Sequence, residues 1–204
     1  MPCHIAILIS GRGSNMTALA DAVQQGAIPE AIVRVCISDR ADATGRARAV
    51  ERGIETLVIE RQRRTRAEHE AEIIRALEER AINLVCLAGF MRLLSPAFVA
   101  LYRNRILNIH PSLLPAFPGL HAQRQALAYG VRWTGCTVHF VDDTLDGGPV
   151  IEQRLVPVLD DDTEETLSAR ILTEEHRAYA DAVVRIVRGD YEIMGRRVIN
   201  KSSP

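Results

Sequence analysis

The run His4-Ile5-Ala6-Ile7-Leu8-Ile9, followed at once by Ser10-Gly11-Arg12-Gly13-Ser14-Asn15 and then by helical spacing, constrains this chain more than any other stretch. A strand that is apolar on both faces must be covered on both, which is the condition of a central parallel strand. The order then repeats. Helical spacing from Met16 to about Gln25 closes at Gly26, Val33 to Ser38 reads as a strand, Thr44 to Arg52 as a helix before Gly53, and Glu55 to Ile59 as a strand. Thr65 to Arg80 reads as an amphipathic helix with Ala67, Ala71, Ile74, Leu77 and Ala81 on its buried stripe, and Asn83 to Ala88 as a strand ended by Gly89. Ser95-Pro96 sets an N-cap before a proline at the first helical position, and Arg105 to Ile109 is the next strand. Strands and helices in alternation build right-handed βαβ units. The expected class is therefore α/β, a Rossmann-like, mainly parallel twisted sheet with helices on both faces.

Past residue 110 the pattern changes. Gln123 to Tyr129 is a short helix ended by Gly130, and Cys136 to Val141 and Val150 to Val158 are strands joined as a long hairpin, with alternating sides in the first. Asp162 and Glu165 predict a capping box for a helix reaching about Arg188, with Leu167, Ile171, Ala178, Ala182, Val183 and Ile186 buried. Tyr191–Met194 and Arg197–Ile199 suggest a terminal hairpin. Antiparallel strands are thus added in the C-terminal half. No linker composition appears, so residues 1–204 are read as one domain.

Composition removes several classes of function. With a net charge of -1 and a pI near 6.6, no basic surface offers itself to nucleic acid or anionic membrane. No apolar run approaches a membrane span and no leader-like start is present, so a cytoplasmic protein with small-molecule partners is expected. Cys3, Cys36, Cys86 and Cys136 stand far apart, in or beside apolar runs, so they read as small core hydrophobes and no metal site is expected.

The chemistry concentrates in a few places. Gly11 and Gly13 permit a tight turn ahead of Ser14 and Asn15, so backbone amides and hydroxyls converge on one point suited to an anion. A dinucleotide fingerprint needs another glycine where Met16 stands, so a single phosphate fits better, against the plain alternative of a capped glycine turn. Asn108 and His110 point to the same side of an extended chain that Pro111 then stiffens. Asp146 precedes Gly147-Gly148, which lets backbone approach a ligand closely. An amide donor for an oxyanion, an imidazole for protons and a carboxylate to hold it charged make an acyl-transfer set. Ser112 lacks a nucleophile elbow, and Gly89-Phe90-Met91-Arg92-Leu93-Leu94 suits a flat aromatic ligand with a polar edge.

Ser10-Gly11-Arg12-Gly13-Ser14-Asn15, Ala88-Gly89-Phe90-Met91-Arg92, Asn108-Ile109-His110-Pro111-Ser112-Leu113-Leu114-Pro115 and Thr137-Val138-His139-Phe140-Val141 with Asp146-Gly147-Gly148-Pro149 occur in one order along nearly the whole chain. In these motifs the chain resembles the phosphoribosylglycinamide formyltransferase family, which uses 10-formyltetrahydrofolate as co-substrate and no metal. The resemblance implies catalytic roles for Asn108, His110 and Asp146. It implies that the ribonucleotide's phosphate meets Gly13, Ser14, Asn15, Met16 and Thr17, and the rest of it Leu172, Thr173, Glu174 and above all Glu175. The folate would meet Met91, Arg92, Leu93, Leu94, Asn108 and the turn Asp142, Asp143, Thr144, Leu145 and Asp146, with Arg66 (or neighbouring Arg63 or Arg64) near its glutamate tail. The N-terminal half would then serve the phosphoribosyl substrate and the C-terminal half folate and catalysis, in a monomer or homodimer. Pro118-Gly119-Leu120-His121 keeps the family's substrate loop.

Four rivals remain distinguishable. A formyl-folate hydrolase is expected to carry an additional N-terminal domain, and a methionyl-tRNA formyltransferase an additional C-terminal domain and a basic surface. A dinucleotide-dependent oxidoreductase is suggested by Asp39 after the second strand but opposed by Met16. A non-catalytic nucleotide-binding module leaves Asn108, His110 and Asp146 unexplained.

Overall fold

A computed structural model describes residues 1–201. The chain forms two compact units, Met1–Leu107 and the part from Asn108 onward. The first contains β1 (Cys3–Ile9), α1 (Ser14–Gln24), β2 (Ala31–Ser38), α2 (Gly45–Glu51), β3 (Glu55–Val58), α3 (Arg66–Glu78), β4 (Leu84–Leu87) and α4 (Pro96–Leu101), and β5 (Ile106–His110) carries the chain into the second. β1 pairs in parallel with β2 on one side and β4 on the other, and β2 pairs with β3, so the order is β3-β2-β1-β4. Ile5 to Ile9 are at most 2% exposed, as their place between two neighbours requires. Parallel crossovers are right-handed. The chain moves outward through α1 and α2, then back across through α3, so α3 covers the opposite face.

That reversal lies between β1 and β4, where open α/β sheets form ligand crevices at their carboxyl ends. Ser10 N donates to Gly89 O at 3.1 Å, and Met91 N donates to Ser10 Oγ at 2.8 Å. The glycine loop and the Met91 segment therefore leave the sheet tied together.

α3 is rotated from the expected stripe. Its buried residues are His69, Glu70, Ile73, Ala76 and Leu77, whereas Ala67, Ala71 and Ala81 are exposed and Ile74 half-buried. Both polar residues are buried because each has partners. His69 Nε2–H donates to Ile59 O at 2.7 Å. Glu70 accepts from Ser95 N at 2.8 Å, from Ser95 Oγ and from Arg66 Nε at 3.1 Å.

The second unit contains α5 (Ala122–Tyr129), β6 (Trp133–Phe140), β7 (Val150–Pro157), α6 (Glu164–Arg188), β8 (Tyr191–Met194) and β9 (Arg197–Asn200). β6 with β7 and β8 with β9 are antiparallel, and β9 joins β7 in parallel at Val150 and Arg197. The α/β class with antiparallel strands in the C-terminal half is the one expected. β6 does not alternate, since it is buried on both sides from Thr134 to Phe140. The α6 capping box is Thr163 with Thr166, one residue later than expected. Asp162 is instead held by both terminal nitrogens of Arg170 at 2.7 Å, which leaves the cap to its neighbour. Ile186 is half-buried rather than buried, while Glu175 and Tyr179 join the buried stripe. Among the described residues no helix is long and apolar enough to cross a membrane.

Gly148 packs closely against its own chain. A Cβ there would lie 1.8 Å from Phe140 O and 2.8 Å from its carbonyl carbon. Neither backbone atom can turn aside, so Gly148→Ala is expected to destabilise the fold by about 2–4 kcal/mol. Urea unfolding would read this as a lower midpoint at unchanged slope, and an unchanged midpoint would mean the turn rebuilds freely.

Candidate active site

In the first unit, Gly13 is left-handed at φ 70° and begins α1 without a side-chain cap. A Cβ on Gly13 would lie 2.8 Å from Gly45 Cα, and Gly45 N donates to Gly11 O at 3.0 Å. The loop is pressed against the start of α2, a use of glycine invisible in the loop's own sequence. Thr17 N returns to Gly13 O at 2.9 Å. The amides of Ser14, Asn15 and Met16 precede that ladder and lie at the positive end of the helix dipole, where an anion is stabilised. Met16 is fully buried, and its Cε lies 3.2 Å from the position of a Gly13 Cβ. It fills the space that a dinucleotide fingerprint leaves to glycine. Asp39 is also withdrawn from any ribose, being 4% exposed and accepting from Arg92 Nε at 2.6 Å.

A cavity of about 300 Å³ opens beside Phe90, Met91, Arg92, Leu93 and Leu94, closed from α3 by Arg66, His69, Glu70 and Ile73, with Arg61 at its edge. Met91 and Leu93 are 66% and 68% exposed, an unusual outlay of apolar surface. Arg66 does reach this cavity, oriented by Glu70 and by Leu93 O at 2.7 Å. Of its neighbours, Arg61 lines the wall, whereas Arg64 is paired with Glu72. Sequence reasoning missed His69 and Glu70, because polar residues on a buried helix face give no apolar signal, and Arg61, an exposed residue ahead of the helix.

The second unit brings Asn108, His110 and Asp146 together. β5 ends at His110, which is 5% exposed, and Nδ1 lies 3.4 Å from Asp146 Oδ2. Asp146 sits at φ 49°, a left-handed conformation, after an Asx turn in which Asp142 Oδ1 accepts from Thr144 N at 2.9 Å. Asp146 Oδ2 accepts from Gly119 N at 2.8 Å. His110 Nε2 lies 2.9 Å from Phe117 O, a pure acceptor, so Nε2 carries a proton committed to it. Nδ1 is the nitrogen left for chemistry. Its distance to Asp146 is longer than a charge-assisted hydrogen bond. Phe117, Gly119 and the Pro118–His121 loop therefore hold both members of the pair by backbone groups, a role missed in the sequence. Asn108 Nδ2 lies 3.2 Å from His139 Nε2.

The remaining expected residues fall into place unevenly. Asp143, Thr144 and Leu145 are exposed at the turn, and Asp142 is half-buried. On α6, Leu172 is half-buried and Thr173 exposed, and Glu175 is buried. Glu174 is engaged by Arg154 at 3.6 Å and Arg177 at 2.8 Å. Burial pushes the Cys36 and Cys136 thiols up to about 12, away from the thiolate a nucleophile needs. Among the described residues no group of three or more His, Cys, Asp or Glu could hold a metal.

Residues 3–183 match the formyl transferase family. The chain belongs to that family. The formyltransferase is 49% identical over 177 residues to phosphoribosylglycinamide formyltransferase of Escherichia coli K12, covering 86% of this chain and 83% of that one. It is 47% identical over 188 residues to the trifunctional purine biosynthetic protein adenosine-3 of Drosophila melanogaster; the match covers 91% of this chain and only 14% of that protein's length. Its fold superposes with a TM-score of 0.96 on glycinamide ribonucleotide transformylase 1 from Symbiobacterium toebii, at 48% identity and over 98% of this chain and 95% of that one.

Proposed function

We propose that this formyltransferase moves the formyl group of 10-formyltetrahydrofolate to the primary amine of 5'-phosphoribosylglycinamide, a step of purine biosynthesis. The observation that carries the reading is the cluster of Asn108, His110 and Asp146, a donor, an imidazole and a carboxylate. Formyl transfer to an amine needs no more than this. The amine–carbon bond forms, the carbon–N10 bond breaks, and one proton passes from the amine to N10.

The folate, when bound, supplies an activated formyl group. The exposed apolar Met91 and Leu93 beside Arg66 and Arg61 suit its flat ring system and carboxylate tail, with the Asp142–Asp146 turn as the second set of contacts. Gly13 to Thr17 bind the phosphate through first-turn amides, and Leu172 to Glu175 receive the glycinamide ribose part. Asn108 donates its amide N–H to the formyl oxygen as charge develops there. His110 donates from Nδ1, held charged by Asp146. Asp146 relays the proton through water toward N10.

A formyl-transfer assay tests this directly. The protein is mixed with a 10-formyl folate whose absorbance changes on deformylation, with and without the ribonucleotide. Turnover that requires the ribonucleotide is the expected result. Equal turnover without it would make the protein a formyl-folate hydrolase, and none in either case would reduce it to a binding module.

A further inference from the structure

Asn108 has two chemically opposite ends. Its amide nitrogen can stabilise a developing oxyanion, whereas its amide oxygen would repel one. The two orientations differ by a half-turn about one side-chain bond, so a neighbour has to choose between them. That neighbour is His139 of β6, 2% exposed, whose Nε2 lies 3.2 Å from Asn108 Nδ2. Its other ring nitrogen, Nδ1, lies 2.8 Å from Phe140 O. A carbonyl only accepts, so Nδ1 carries a proton. In a neutral ring Nε2 is then a bare acceptor, and only the NH₂ end of Asn108 can meet it. One N–H is used on His139, and the amide nitrogen has a second N–H to give.

We propose that His139, as the neutral Nδ1–H tautomer, is the positioning residue that fixes the amide nitrogen of Asn108 toward the reacting carbonyl. What Asn108 does there rests on the formyl-transfer reading; how it is held does not. Burial is the largest influence on His139 and lowers its proton affinity below the ordinary histidine value; His110 acts the same way, and the Phe140 carbonyl, Asp146 and Asp142 oppose it. Neutrality has a second consequence. Asp146 faces both imidazoles, His110 Nδ1 at 3.4 Å and His139 Nε2 at 3.9 Å. A charged His139 would compete for that carboxylate and turn the Asn108 oxygen toward itself. A neutral one leaves the carboxylate to His110 and the amide to the substrate.

The first test needs no variant. In protein carrying isotope-labelled histidine near neutral pH, the His139 ring nitrogens are expected to report a protonated Nδ1 and an unprotonated Nε2. A proton on Nε2 overturns the proposal whatever the activity. The second test is a kinetic cycle. His139→Leu is expected to lose about 10–100-fold in kcat, as removal of an orienting partner does, with KM little changed. His139→Gln, whose side-chain oxygen can accept the same N–H, should recover most of that loss. The double variant with Asn108→Ala should be no slower than Asn108→Ala alone, because His139 acts only through Asn108. Independent, additive losses, or a His139→Leu enzyme within threefold of the unaltered one, overturn the assignment. Should His139→Leu fail to fold, the ring spectrum and the Gln variant decide. If the formyl-transfer reading is itself mistaken, the unaltered protein shows no ribonucleotide-dependent turnover while the ring spectrum is unchanged, so the two failures are separable.

Discussion

Asn108→Ala is expected to lower kcat by about 10²–10³-fold while leaving KM for either substrate within a few-fold. The asymmetry follows from where the interaction is made. A neutral formyl oxygen is a modest acceptor and an oxyanion a strong one, so the amide N–H contributes mainly in the transition state. The side chain is half-buried in the middle of β5, and its partner His139 is buried, so little water can replace the lost donor. Truncation also strands His139 Nε2 without a donor, which costs about 1–3 kcal/mol of stability. Urea unfolding of the variant measures that loss separately, and steady-state kinetics on the folded fraction measures the catalytic one. A kcat within a few-fold of the unaltered enzyme would remove Asn108 from the chemistry.

The expectation could be formed because Asn108 and His110 are two residues apart on one strand, a local pattern. Much of the first unit is legible for the same reason. A parallel strand buried on both faces is written as a continuous apolar run, and β1 from Ile5 onward and β4 are such runs. Illegibility begins where a partner is distant. Gly119 meets Asp146 across 27 residues and His139 meets Asn108 across 31. Nothing in Pro118-Gly119-Leu120 states that its amide will hold a carboxylate. Gly45 is similar, since its reason for being small is the close approach of Gly13. α3 fails differently. Its periodicity was readable, but His69 and Glu70 are buried through hydrogen bonds to Ile59 and Ser95, so counting apolar residues alone turns the helix to the wrong face. At α6 both Asp162 and Thr163 are good caps, and Arg170 decides between them by occupying the acid. Gly147-Gly148 was recognisable as special, yet its tight contacts are with Thr144 and Phe140 of its own turn. These contacts close the turn on itself and set the place of Asp146.

That construction makes Asp146→Asn the most damaging conservative change in the chain. The turn should survive it, because an Asn oxygen can still accept from Gly119 N, as Asp146 Oδ2 does at 2.8 Å, and Asn tolerates the left-handed φ of 49° as well as Asp. Only the charge and one acceptor are lost. His110 Nε2 keeps its proton on Phe117 O, so a neutral ring presents a lone pair at Nδ1 where a donor is needed. The expected loss in kcat is about 10³–10⁴-fold, the scale seen when an orienting carboxylate is neutralised and an imidazole is left in the wrong protonation state. The shape of the pH–rate profile should change as well, because the carboxylate that takes part in the proton's path is gone. Circular dichroism and urea unfolding matched to the unaltered protein would establish that the turn is intact. Given that match, a pH–rate profile unchanged in shape would exclude Asp146 from the proton's path and leave it only the task of holding the Gly119 loop.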